Sequence, residues 1–349
     1  MLIYWLLFAY FSVAALVARD KPLGSKLVSP PGLILGAVLI AVLVGFRYQV
    51  GADWPTYERL FSYARLSSLE RVLRFGEPGY QILNWTIQQM GLRLWAVNIV
   101  CGSIFAWGLY RLCRIQPSPF TAMLVAVPYL VIVVAMGYTR QSVAIGILMA
   151  GLAGLSRNGS LLRFAVYVVA AAMFHKTAVV AFPLAALTGR RSPLINVLLV
   201  ASIGYFLYDF FLEDSLQNFV RNYVQAEYSS QGALIRVVMN LLPAALVLTV
   251  GTRLGFSDTE RKLWRNFALA SFALLALVLI SPSTTAVDRI ALYVLPIQIA
   301  VLSRVPRGLM NEVPGKLAVV GYSLAVQFVW LNFAAHADFW VPYQFFPLS

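Results

Sequence analysis

Apolar runs alternate with short polar breaks along almost the whole chain. A bilayer crossing takes about 20 predominantly apolar residues. The pattern predicts twelve such helices: Leu2–Val17, Pro30–Gly45, Leu94–Leu112, Phe120–Met136, Gln141–Leu155, Leu161–Phe174, Thr177–Leu187, Leu194–Leu212, Val237–Val250, Phe267–Ile280, Ile290–Leu302 and Leu317–Phe333. Pro78–Met90 reads as a shorter, semi-polar helix of re-entrant character. No segment alternates apolar and polar positions as a membrane barrel strand does. The predicted fold class is therefore all-α: a polytopic integral membrane protein, one transmembrane domain over residues 1–349, with no internal repeat. The first run lacks a basic leader and a small-residue cleavage site, which predicts a retained helix.

Charge adds an orientation. Alternating the spans collects sixteen of the 27 Lys and Arg on one face, among them Arg19, Lys21, Lys26, Arg111, Arg114, Arg190, Arg191, Arg304 and Lys316. Short basic loops resist translocation, so this face is predicted cytoplasmic and both termini outside. The outer face then holds the long polar connections, residues 46–77 and 213–233, and a turn at Ser281–Asp288. Within the first, the spacings of Tyr57 to Phe61 and of Leu66 to Leu69 predict an amphipathic helix lying in the interface.

Composition excludes a soluble domain: 60% of residues are hydrophobic and 12% charged, about half the charged fraction of a typical soluble protein. The net charge of +13 is accounted for by the basic loops and calls for no nucleic acid partner. Cys101 and Cys113 are twelve residues apart in one helical run, about 18 Å along its axis and too far for a disulfide.

Ionisable residues at membrane depth are costly and mark function by default. Four places on the predicted outer side qualify: Arg47 with Asp53, Arg140 in M-G-Y-T-R-Q-S, His175-Lys176 in A-M-F-H-K-T-A, and Asp288-Arg289 followed by Tyr293. Arg47 and Asp53 either join an anion site or pair to clamp their loop. A cavity lined by Arg47, Arg140, Lys176 and Arg289 suits a diphosphate, because arginine binds phosphate through charge-assisted, bidentate bonds. Trp54, Tyr57, Tyr80, Tyr293, Trp340 and Tyr343 supply rings on which sugars stack. No Walker A sequence, G-x-S-x-G, H-E-x-x-H or Asp-rich cluster is present. The expected reaction is metal-independent.

The stretch F-R-Y-Q-V-G-A-D-W-P-T-Y-E-R-L-F at Phe46–Phe61 resembles the signature of EpsG-like proteins, relatives of the Wzy polysaccharide polymerases. The likeness continues in order through E-P-G-Y at Glu77–Tyr80, T-R-Q-S-V-A at Thr139–Ala144, M-F-H-K-T-A at Met173–Ala178, D-R-I-A-L-Y at Asp288–Tyr293 and W-V-P-Y at Trp340–Tyr343. The resemblance implies a class C glycosyltransferase of the bacterial inner membrane. Such an enzyme polymerises undecaprenyl-diphosphate-linked glycans on the outer face, using lipid-linked donor and acceptor and no nucleotide sugar or soluble cofactor, with a chain-length regulator as a further partner. It implies that Arg47, Arg140 and Arg289 hold the diphosphate, with Lys176, Tyr57, Trp54, Glu77 and Tyr293 lining the substrate. His175 is favoured as the base, with Asp53 orienting Arg47 or an acceptor hydroxyl. Two other classes fit twelve spans with a cationic cavity: a transporter or flippase of the same lipid-linked glycan, and a membrane acyltransferase. Functional charge gathered on one side favours the polymerase, since a transporter carries it through the membrane depth in pseudo-symmetric halves.

Overall fold

The computed structural model describes residues 1–20, 30–188 and 232–348, apart from 66, 75, 158, 282 and 283, together with Tyr205. Lys21, Lys26, Arg190, Arg191, Arg221, the predicted span Leu194–Leu212 apart from Tyr205, and nearly all of loop 213–233 lie outside the described residues. The described chain is almost entirely helical. Among the described residues, four helices are long and apolar enough to cross a membrane: α6 (Leu94–Cys113), α11 (Ala233–Val250), α12 (Asp258–Ile280) and α16 (Glu312–Phe333). A fifth crossing results if Thr284–Ala291 (α13) and Pro296–Gly308 (α14 and α15), bent by 45°, count as one. Shorter apolar helices accompany them: α1 (Leu2–Val17), α2 (Pro31–Gly45), Pro119–Ala135, α9 (Leu161–Ala172) and Lys176–Ala186. Large apolar side chains such as Leu162, Val166, Leu248 and Phe333 point outward and exposed, as they do on a surface solvated by lipid.

Side-chain contacts fix the two ends of the bundle. Tyr4 donates to the Trp340 carbonyl at 2.7 Å, and Gln327 donates to the Tyr4 carbonyl at 3.1 Å. At the other end of the same helix pair, Lys316 donates to the Ala18 carbonyl at 2.6 Å. α1 and α16 thus run antiparallel. The Lys316 end also gathers Asp20, Arg307 and Glu312, while Arg304 meets Glu260 at 2.8 Å. Loops assigned from the sequence to one face therefore share one end.

The core is α8 (Thr139–Ser156), of which 16 residues are buried. Gly108 of α6 faces Gly146 of α8 backbone to backbone, a close approach that any larger residue would obstruct. Before α8, α7 (Pro119–Ala126) continues as a fully buried π-helix, Val127–Ala135. Pro128 lies in this stretch. Its missing N–H and its ring oppose the α-helical i to i−4 bond, and the wider π register is one way to relieve that.

Two sequence expectations change, and one feature is new. The turn expected across Ser281–Asp288 is helical from Thr284, because Val287, Asp288 and Ala291 form one buried face. The expected interfacial helix is α3 (Trp54–Arg65), but its Tyr57 and Phe61 are buried against protein, packing on α5 (Pro78–Gln89). The C-terminal tail doubles back. Gln344–Phe345 (β2) pairs antiparallel with Arg47–Tyr48 (β1), the one sheet among the described residues.

Candidate active site

The site is built around the first turn of α8. Successive residues on a helix point about 100° apart, so one turn can address several neighbours at once. Thr139 Oγ1 accepts a hydrogen bond from Arg47 Nη2 at 2.6 Å. Arg140 Nη1 donates to Glu77 Oε2 at 2.6 Å. Gln141 Nε2 donates to the Arg289 carbonyl at 2.7 Å. Tyr138, which caps the helix, accepts from Arg236 Nη2 at 3.4 Å. Four stretches distant in sequence are tied to four consecutive residues.

Arg47 is 1% exposed, and its Nη1 donates to the Val44 carbonyl at 2.5 Å. A cation placed at the C-terminus of α2 also satisfies the helix dipole. Its guanidinium lies 5.9 Å from the Trp54 ring. The loop beyond is pinned at Gly51, whose φ of 101° and tight approach to the Met136 carbonyl exclude a side chain. Gly51 N–H donates to the Phe339 carbonyl at 2.8 Å. Tyr57 also reaches Thr139 and meets Tyr80 edge-on at 5.8 Å. Asp53 does not pair with Arg47, so the clamp between them does not form and Asp53 does not orient that guanidinium. The charges acting on Asp53 are Arg289 and Arg140, and burial outweighs both to raise its carboxyl above the usual range.

Glu77 caps α5, and Gly79 N–H donates to the Met173 carbonyl at 2.8 Å, laying E-P-G-Y against M-F-H-K. His175 Nδ1 lies 2.7 Å from Thr177 Oγ1 and 2.9 Å from the Tyr293 hydroxyl. Burial chiefly lowers the His175 pKa to about 4; Arg140 and Arg289 push the same way and Glu77 opposes. The ring is thus neutral at neutral pH. For Glu77, burial raises the carboxyl, but the Arg140 guanidinium beside it outweighs this and holds it below its ordinary value. Lys176, next to His175, opens a short 3-10 helix.

The structure thus brings Arg140, Glu77, His175 and Tyr293 together, ties Arg289 in through its backbone, and places Arg47 with Trp54 and Tyr57 on the adjoining side. Trp54, Tyr57, Tyr80, Tyr293 and Trp340 present no open face, since all are buried, and Tyr343 is half-buried. Trp340 and Tyr343 are seals, since Trp340 Nε1 donates to the Ile132 carbonyl at 2.8 Å and Tyr343 to the Leu43 carbonyl at 2.7 Å. Sequence reasoning missed Thr139, Gln141 and Thr177, which flank the arginine and histidine it chose. It also missed the Arg236–Asp288 ion pair, with Arg236 6.0 Å from the Tyr129 ring. The signal for that pair was Asp288 itself, an acid at predicted membrane depth directly beside Arg289.

A helical bundle of membrane-crossing length with buried cations, a neutral histidine and tyrosines gathered at one end defines a multispanning membrane protein with a polar site at that end. The chain belongs to the EpsG family, whose model matches residues 33–345. That family is associated with glycosyltransferase-like polysaccharide polymerases. No curated relative and no solved structure matches the chain.

Proposed function

We propose that the protein polymerises polyprenyl-diphosphate-linked repeat units in the bacterial inner membrane, at the periplasmic or outer end of the bundle. The observation that carries this is the assembly of Arg140–Glu77, His175–Tyr293–Thr177 and Arg289 around the first turn of α8. A helix N-terminus presents unpaired N–H groups and positive dipole charge, and arginine beside it makes an anion site. In the proposed reaction an acceptor hydroxyl attacks the anomeric carbon of the donor glycan. The carbon–oxygen bond to the diphosphate breaks, and the leaving diphosphate takes the electron pair. Arg140 and Arg289 stabilise that charge, an electrostatic task worth several kcal/mol in a dry site. With Nδ1 held by Thr177 and Tyr293, His175 offers Nε2 to the acceptor proton. Asp53, facing Arg289 and Arg140, orients the acceptor. No residue is assigned to a metal.

The test supplies the purified protein in vesicles with a lipid-linked repeat unit and no other enzyme. A ladder of longer glycans is expected. Substrate that crosses the bilayer unchanged would assign a transporter instead.

A further inference from the structure

The flank of the bundle carries a groove of about 410 Å³ between α2 and α6, lined by Ile34, Val38 and Ala41 on one wall and Ser103, Trp107 and Tyr110 on the other. Ile34, Val38 and Trp107 are exposed there. Pro30, which precedes α2, lies beside Arg19 and Asp20, so the groove opens at the end of the bundle away from the active site. Ser103 and Arg111 are eight residues apart on α6, about 12 Å at 1.5 Å per residue. That is shorter than half of a hydrocarbon core about 30 Å thick. The groove therefore lies within a single leaflet.

Two cations stand at its mouth. Arg111 is 5.5 Å from the Trp107 ring and Arg114 is 5.6 Å from the Tyr110 ring, and both rings line the groove. Among the described residues neither arginine pairs with a carboxylate. Three acids of that end are committed elsewhere: Asp20 and Glu312 to Lys316 and Arg307, and Glu260 to Arg304. Arg114 Nε is buried with no partner. Ring-held cations above an apolar groove one leaflet deep complement an anionic head group carrying an acyl chain.

We propose that this groove binds one anionic phospholipid of the leaflet opposite the active site, with an acyl chain between α2 and α6 and its phosphate on Arg111 and Arg114. It is not a site for the reacting lipid. Trp95 stacks on Phe46 beside Arg47 at the catalytic end, and Arg111 lies 16 residues further along α6, about 24 Å away.

Native mass spectrometry of the delipidated protein, titrated with phosphatidylglycerol or phosphatidylcholine, tests this independently of activity. The wild-type protein is expected to hold phosphatidylglycerol about tenfold tighter than phosphatidylcholine. R111Q/R114Q should erase that preference with thermal stability unchanged. Val38→Trp, at an exposed position, fills the groove and should weaken both lipids about fivefold while leaving the arginines in place. Equal binding of the two lipids by the wild type, or a preference that survives in R111Q/R114Q, overturns the proposal. So does unchanged binding in Val38→Trp, or displacement of phosphatidylglycerol by equimolar polyprenyl diphosphate, which would give the groove to the carrier lipid.

Discussion

Replacing Glu77 by Gln separates what the Glu77–Arg140 pair does for the fold from what Arg140 does for chemistry. The two groups meet at 2.6 Å with side-chain exposures of 12% and 26%. At that distance and an effective dielectric of about 20 the gross attraction is about 6 kcal/mol. Desolvation cancels part of it, and the partial exposure screens more. Losing one partner of a fully buried pair costs about 3–5 kcal/mol and of a surface pair about 1 kcal/mol or less, so this site falls between them at about 2–3 kcal/mol. E77Q and R140Q should each lose about that much stability. The double variant should lose little more than either alone, a coupling of about 2 kcal/mol.

Activity should not follow the same cycle. If Arg140 stabilises the departing diphosphate, R140Q loses about 10²–10³-fold in rate, the magnitude of one electrostatic donor. E77Q keeps the cation and loses far less. The double variant stays as inactive as R140Q at nearly the same stability. The assay is ladder formation by equal amounts of folded protein, with thermal unfolding measured on the same samples. Near wild-type polymer from E77Q/R140Q would refute the role given to Arg140 and leave the pair purely structural.

Other outcomes follow from particular contacts. Because burial and the neighbouring cations lower His175 to about 4, its proton-accepting form persists down to that pH. The acid limb of kcat/KM should therefore fall near pH 4, and a limb near 6.5, the ordinary histidine value, would refute the lowering of His175 by burial. Thr139→Val strips an acceptor from the buried Arg47 guanidinium and should cost about 1–3 kcal/mol in thermal unfolding, with Thr139→Ser close to wild type. Gly108→Val forces a side chain against the Gly146 backbone and should destabilise by about 1–3 kcal/mol or prevent folding, as read by the yield of monodisperse protein. Lys316→Met leaves Asp20 buried without its nearest cation at the far end; stability should fall while ladder formation per folded molecule does not change.

Much of the fold was legible because the apolar runs carry it. Most boundaries drawn from hydropathy recur in the described helices, and the basic loops at Arg19 and Arg304 meet at one end through Asp20, Lys316 and Arg307. The details lost were those where hydropathy is silent. In V-P-Y-L-V-I-V-V-A only Pro128 marks the change from α to π register, since the positions are apolar whichever bond pattern holds. The Thr284 helix was lost for the opposite reason: serine, threonine and proline in S-P-S-T-T read as a turn, yet the buried face formed by Val287, Asp288 and Ala291 overrides that local preference.

The candidate site shows a different limit. Charge at membrane depth marks which residues must be satisfied but not by what. Arg47, Asp53, Arg140, His175 and Arg289 could be chosen from cost alone, whereas their partners depend on which segments meet. Sequence neighbours such as Arg47 and Asp53 looked like a pair and are not one, because Gly51 turns the loop onto the Met136 carbonyl and leaves Arg47 facing Thr139. The residues that tie the segments together are neutral. Thr139, Gln141 and Thr177 cost little to bury when bonded, so they raise no signal in a search for expensive groups. Each nevertheless sits one or two positions from a charged or titratable residue on a helical turn, where side chains fan outward. The neighbours of a costly residue along the first turn of a buried helix are therefore where the supports of such a site should be sought.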